Sequence, residues 1–158
     1  MQPQVNNTPQ GHRLRIGRHS ESNRAYLITT ITHKREPIFR NLSTARITIK
    51  AMQTIQQQNF LTSYAFVIMP DHIHWLFQLG EKKSLAETIR HFKGHSAFNI
   101  NKMRKHKHTK VWQPGYHDHA LRKEEDIKTV ARYIIANPLR AGLARSVDNY
   151  PLWDAIWL

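Results

Sequence analysis

The chain has 158 residues, 40% apolar and 22% charged, which fits one soluble globular domain with a proper core. It contains no cysteine, which excludes disulfides, cysteine-held zinc and thiol nucleophiles, so any metal must sit on His, carboxylate or amide ligands. The net charge of +13, with a pI near 10.4, favours a polyanionic partner, although a ribosomal or chromatin-like binder would share that balance.

Met1 to Asn23 is polar and basic and reads as a flexible arm preceding one domain over residues 24–158. Its start, Met1 to Gln10, has no apolar signal core. No later run approaches the ~18 apolar residues of a membrane span. A cytoplasmic, nucleoid-associated protein without a membrane partner is therefore expected.

Ala25 to His33 is β-branched and predicts a strand. Leu42 to Phe60 fits a helix, with Ser43 or Thr44 as N-cap and Ile47, Met52 and Ile55 on its apolar side. Tyr64 to Met69 is a second strand, Pro70 and Asp71 a turn, and His72 to Leu79 a third strand. Ser84 to Met103 reads as a helix with Ser84 and Glu87 as a capping box. Asn101 to Lys110 is a basic run, His117 to Leu121 a fourth strand, and Arg122 to Asn137 an amphipathic helix ended by Pro138 and Gly142. The tail, with Tyr150, Trp153 and Trp157, is too apolar for a free linker. The order strand-helix-strand-strand-helix-strand predicts an α+β, ferredoxin-like antiparallel sheet with packed helices.

Two features carry chemistry. His72 and His74 are two apart on a predicted strand, so both imidazoles leave one face while Ile73, Trp75, Phe77 and Leu79 share the other. Such a pair suits one metal ion, but His-x-His also arises by chance in a chain with 11 His. Asp71 is either a turn residue or an outer partner of the pair. On the last helix, Ile127, Val130, Ala131 and Ile134 form the apolar stripe, and Tyr133 lies roughly 120–130° from its centre. Asn137 follows one turn later on the same face. Tyr133 is then either a side-lying reactive phenol or a half-buried packing residue, with Asn137 as the turn residue before Pro138.

Asp71-His72-Ile73-His74, Trp112-Gln113-Pro114-Gly115-Tyr116-His117-Asp118-His119-Ala120-Leu121-Arg122 and Tyr133-Ile134-Ile135-Ala136-Asn137-Pro138 together resemble the REP-associated tyrosine transposases. These belong to the single-tyrosine HUH superfamily of small insertion-sequence transposases, and the likeness runs from Arg24 to Trp153. The resemblance places the HUH motif on a central strand, with His72 and His74 as metal ligands. It makes Tyr133 the nucleophile and Asn137 the third ligand, where insertion-sequence relatives more often carry the longer Gln. Tyr116, flanked by His117 and His119, is a competing nucleophile.

The activity implied is metal-dependent cleavage and transfer of single-stranded DNA beside palindromic hairpins, through a 5′-phosphotyrosine. Mg²⁺ or Mn²⁺ is the expected ion, although two imidazoles would accept Zn²⁺. The protein would act as a monomer or homodimer. Arg13, Arg15, Arg18, Lys82, Lys83, Arg104, Lys105, Lys107 and Lys110 are candidates to track phosphates, and Trp112 to stack on bases. Two rivals stay open. A rolling-circle initiator would tend to carry Lys three residues after the tyrosine, where this chain has Ala136. A non-catalytic nucleic-acid-binding ferredoxin-like module would explain the charge but not the metal-and-tyrosine arrangement.

Overall fold

A computed structural model describes residues 20–105, 109–122 and 125–157. The described strands are β1 (Ala25–Ile31), β2 (Leu61–Met69), β3 (His72–Leu79), β4 (His117–Ala120) and β5 (Trp153–Ala155). The helices are α1 (Leu42–Gln57), α2 (Leu85–Arg104), α3 (Ile127–Ile135) and α4 (Asn137–Arg140). The sheet order is β4-β1-β3-β2-β5, with every pairing antiparallel. The first four strands with α1 and α2 make the ferredoxin-like plan, and β5 extends the edge beyond β2. No described helix is long and apolar enough to cross a membrane.

The sheet has a packed layer on each face. Ile73, Trp75, Phe77 and Leu79 of β3 join Tyr26, Ile28 and Ile68 under α1 and α2, which contribute Met52, Ile55, Ile89, Phe92 and Ile100. The opposite face buries Val67, Met69 and Leu76 under Ala131, Ile134 and Ile135 of α3. A bulge at Tyr64, between Ser63 and Ala65, changes the parity of β2, so that Ala65, Val67 and Met69 fall on the α3 face.

Local chemistry sets the element ends. The cap of α1 is Asn41, whose Oδ1 accepts from the Ser43 and Thr44 amides, so the cap lies two residues before Ser43 and three before Thr44. Ser84 caps α2 as expected, accepting from the Glu87 amide. The final helix is shorter than its sequence pattern. Asp126 caps it at Ile127, it stops at Ile135, and Asn137–Arg140 form a separate turn. Pro138 does not end helical structure; it opens the new turn, where a missing N–H costs nothing. Gly142 then takes a left-handed φ of 72°.

Ser20–Asn23 are tied down: the Leu85 amide donates to Ser20 Oγ, and the Asn23 amide to Leu79 O. The remainder of the expected arm, with Arg13, Arg15 and Arg18, lies outside the described residues, as does Lys107. The core around Phe92 is aromatic, with ring centroids 5.2 Å from Trp75 and 5.8 Å from Trp112. Phe92→Ala should lower unfolding free energy by about 3–5 kcal/mol, measured by urea denaturation. A loss of less than about 1 kcal/mol would mean that this layer does not support the sheet.

Candidate active site

The strand parity holds in three dimensions. His72 and His74 leave the α3 face of β3, with ring centroids 4.9 Å apart and planes at 82°. Each ring is fixed through its Nδ1. His72 Nδ1 lies 2.7 Å from Asp71 Oδ1, and a carboxylate only accepts, so the ring donates there. His74 Nδ1 shares a 2.8 Å hydrogen bond with Thr29 Oγ1, from the residue directly opposite it on β1. The Nε2 atoms carry no such partner among the described residues. This arrangement, an imidazole oriented through one nitrogen and offering the other, is what a metal ligand requires.

Asp71 is thus a partner of the histidine pair as well as a turn residue. Burial acts to raise its carboxyl, but the hydrogen bond and charge of His72, then those of Arg35, hold it below the usual carboxylate range. Burial, reinforced by the neighbouring His72 and by Arg140, pushes His74 down from 6.5 to about 4. His74 is therefore neutral at pH 7, the form that donates a lone pair to a metal.

The same face carries α3. Ala131, Ile134 and Ile135 bury against the sheet of their own chain, so the helix is seated in cis. Tyr133 turns away from that packing and is 63% exposed. Asn137 begins the next turn, and Arg140 joins the two. Its Nη2 donates to Asn137 Oδ1 at 3.0 Å and to the Tyr133 carbonyl at 2.6 Å, while its guanidinium lies 3.9 Å from the Tyr133 ring centroid. The charge of Arg140 also acts on His74. Among the described residues no three His, Cys, Asp or Glu gather into one cluster.

Several expected residues fall elsewhere. Trp112, a candidate stacking platform, is 8% exposed; it packs on Phe39 and Phe92 and donates Nε1–H to Ser96 Oγ. It is a core residue on the helix side, pulled in by a bridge to Thr32. Tyr116, just before β4, is partly buried against the helix-side core. His117 and His119 lie on the histidine face, opposite Thr29 and Leu27, and His119 Nε2 is 3.0 Å from Glu125. Arg104, Lys105 and Lys110 flank the connection from α2 to β4, which reaches the His72 end of the sheet where the His33 amide meets Val111 O. Lys82 donates to Gln58 O and Lys83 stands over Phe60, both away from the histidines in the loop before α2. Thr29 and Arg140 are the site neighbours that sequence reasoning missed. Arg140 sits three residues after Asn137 and seven after Tyr133, a helical spacing that marks it in retrospect.

A ferredoxin-like sheet bearing paired histidines on a central strand, faced by a tyrosine helix, defines the class. Residues 20–137 match the model of the IS200-like transposases, and the chain belongs to that family. It is 31% identical over 109 residues to a Haemophilus influenzae protein described as a REP-associated tyrosine transposase, covering 63% of this chain and 61% of that one. It is 28% identical over 91 residues to the REP-associated tyrosine transposase of Escherichia coli, covering 55% of this chain and 50% of that one. The chain thus spans between half and two thirds of the length of these relatives.

Among solved structures, a REP-associated tyrosine transposase bound to a REP hairpin has the same fold. The TM-score is 0.71 at 20% identity, over 86% of this chain and 79% of that one. A Deinococcus radiodurans protein described as a transposase superposes with a TM-score of 0.55 at 21% identity, over 75% of this chain and 93% of that one.

The His74 shift has a consequence for the metal-free protein. The unfolded chain binds this proton below 6.5 and the folded chain only below about 4. Stability should therefore rise with pH across that window and be lost as pH falls from 6.5 towards 4. Urea midpoints measured across this range should fall more steeply for wild type than for His74→Gln. Parallel curves would show that His74 is not held neutral by the fold.

Proposed function

We propose that the protein is a metal-dependent endonuclease and strand transferase for single-stranded DNA, cutting beside palindromic hairpins through a 5′-phosphotyrosine. The observation that supports this reading is that α3, the helix that carries Tyr133, packs on the sheet face from which His72 and His74 project, with the charge of Arg140 from the next turn acting on His74. The family membership and the hairpin-bound relative agree with it.

The two Nε2 atoms and the Asn137 carboxamide oxygen are the donors for one divalent ion, Mg²⁺ or Mn²⁺. Such an ion supplies charge neutralisation at a nonbridging phosphate oxygen. Asp71 and Thr29 keep both rings aimed. Tyr133 Oη attacks phosphorus as the P–O3′ bond breaks. The phenol proton leaves to water, and the departing 3′ oxygen takes a proton from solvent. The phosphodiester energy is kept in the tyrosine link, so another 3′-hydroxyl can reverse the step and join strands without a nucleotide cofactor. Residues 24–158 act as one domain in this reading, with the basic segment 1–23 adding phosphate contacts. All of the proposed site comes from one chain, so a monomer suffices, and a homodimer would repeat it.

Tyr133→Phe keeps the ring and removes the attacking oxygen. It should bind hairpin DNA as wild type does and lose cleavage by at least about 10³-fold, read on a denaturing gel with Mn²⁺. Tyr116→Phe should cleave normally. Cleavage by the Tyr133 variant at the wild-type rate would sink the assignment.

Charge at this level gives a general phosphate attraction that falls with salt. Discrimination must come from shape and splayed bases, because charge alone favours the denser duplex. Affinity for a hairpin with a single-stranded flank should therefore exceed that for an equal-length duplex, and the gap should widen as salt rises. Equal binding at every salt concentration would leave only a basic binder.

A further inference from the structure

Arg140 stands where α4 returns toward α3 and the histidine face. It is exposed, yet it does not extend into water. It folds back over the Tyr133 ring, with its guanidinium carbon 3.9 Å from the centroid. Nη2 makes both of its hydrogen bonds, to the Tyr133 carbonyl and to Asn137 Oδ1. No carboxylate pairs with Arg140 among the described residues. A guanidinium carries five N–H donors in one plane, and with Nη2 engaged Nη1 and Nε remain as separate charged donors rather than as a fork. The Nη1 and Nε donors therefore have no partner among the described residues, and they lie beside the phenol.

We propose that Arg140 is a further catalytic residue: its Nη1 donates to a nonbridging oxygen of the phosphodiester that Tyr133 attacks, while Nη2 fixes the Asn137 carboxamide and the turn carrying Tyr133. This rests on the reading of Tyr133 as nucleophile. As the Tyr133 Oη–P bond forms and the P–O3′ bond breaks, negative charge is held on the nonbridging oxygens. Arg140 meets that charge with preplaced donors and transfers no proton. Its stack on the Tyr133 ring keeps the cation in register with the attacking oxygen. The contact to Asn137 aligns the proposed third metal ligand from the same side chain, so one residue couples the nucleophile, the ligand and the phosphate. A lysine would supply the charge but not donors fixed in one plane that reach the Tyr133 carbonyl, Asn137 and a phosphate oxygen together.

The test is single-turnover cleavage of a hairpin with a single-stranded flank, carrying either an ordinary scissile phosphate or its Rp or Sp phosphorothioate. Reactions run in Mn²⁺, which tolerates sulfur. Wild type, Arg140→Gln, Arg140→Lys and Arg132→Gln are compared, with thermal midpoints measured for each. Arg132 lies on α3 next to Tyr133, and its loss removes the same charge. Arg140→Gln is expected to lose about 10²–10³-fold in the saturating single-turnover rate, with the half-saturating concentration little changed. It should also lose the wild-type preference between diastereomers, because the donor that senses one oxygen is gone. Arg140→Lys should remain well below wild type, and Arg132→Gln should stay within about threefold.

Cleavage by Arg140→Gln within about threefold of wild type overturns the proposal. So does a slower variant that keeps the wild-type diastereomer preference, since Arg140 would then act only through the fold. If wild type itself fails to cut, the nuclease reading falls and takes this inference with it. If wild type cuts and Arg140→Gln cuts equally, only the inference falls.

Discussion

The structure depends on the two-residue period of β3. This strand lies between β1 and β2, so both of its edges are paired and its register is fixed on each side. Ile73, Trp75, Phe77 and Leu79 are each at most 2% exposed under α1 and α2. With those four committed to one core, His72 and His74 have nowhere to go but the other face. A slip of one residue would bury two imidazoles in the aromatic core and expose Trp75 and Phe77, which is prohibitive. The apolar half of the strand thus sets the position of the polar half. The indole N–H of Trp75, donating to Ser63 Oγ, adds a polar check on the same register.

Around that strand, the partners of the site come from segments far apart in the chain. Thr29 is placed by the β1 register, directly opposite His74. Asp71 is placed by the β2–β3 turn, and Thr32 holds that turn through its amide and hydroxyl on Asp71 O. The break between α3 and α4 does comparable work. Pro138 has no N–H to offer the preceding turn, so α3 cannot continue through it undisturbed. The Ala136 amide closes the last turn of α3 on the Arg132 and Ile134 carbonyls, and Arg140 adds a side-chain hydrogen bond to the Tyr133 carbonyl. The side chain that satisfies the Tyr133 carbonyl at the end of the helix is also the one that covers the tyrosine ring.

What was legible in the sequence follows the range of the interactions involved. The histidine pair and its apolar complement needed only strand alternation, and the side-lying position of Tyr133 only helical periodicity. The ferredoxin-like order followed from the sequence of periods along the chain. Trp112 was misread because its surroundings are built at long range. Gln113-Pro114-Gly115 reads locally as an exposed turn, but Phe39, Phe92 and Ser96 enclose the indole from two other elements. The strand β5 was illegible for a similar reason: three residues carry no period, and only pairing with β2 makes them a strand. The extent of the tyrosine helix was overread because an apolar stripe does not show where a cap competes. Asp126 takes the Lys128 amide and the Thr129 hydroxyl and so starts the helix late.

The site is rigid on one side and open on the other, and this asymmetry suits a reaction on a polymer. The histidines are carried by a strand hydrogen-bonded on both edges, with each ring held at Nδ1. Tyr133 stands out from the surface with 63% of its area exposed. A closed pocket would suit a small substrate that enters whole. A phosphate within a strand must instead be laid across a surface, with nucleotides continuing on both sides. Under the proposed function, an exposed Tyr133 beside a fixed histidine pair would admit that approach. It also separates function from stability, because the Tyr133 ring contributes little to the buried layer formed by Ala131, Ile134 and Ile135. The apolar stripe of α3 seats the helix, and Tyr133 beside the stripe is left exposed.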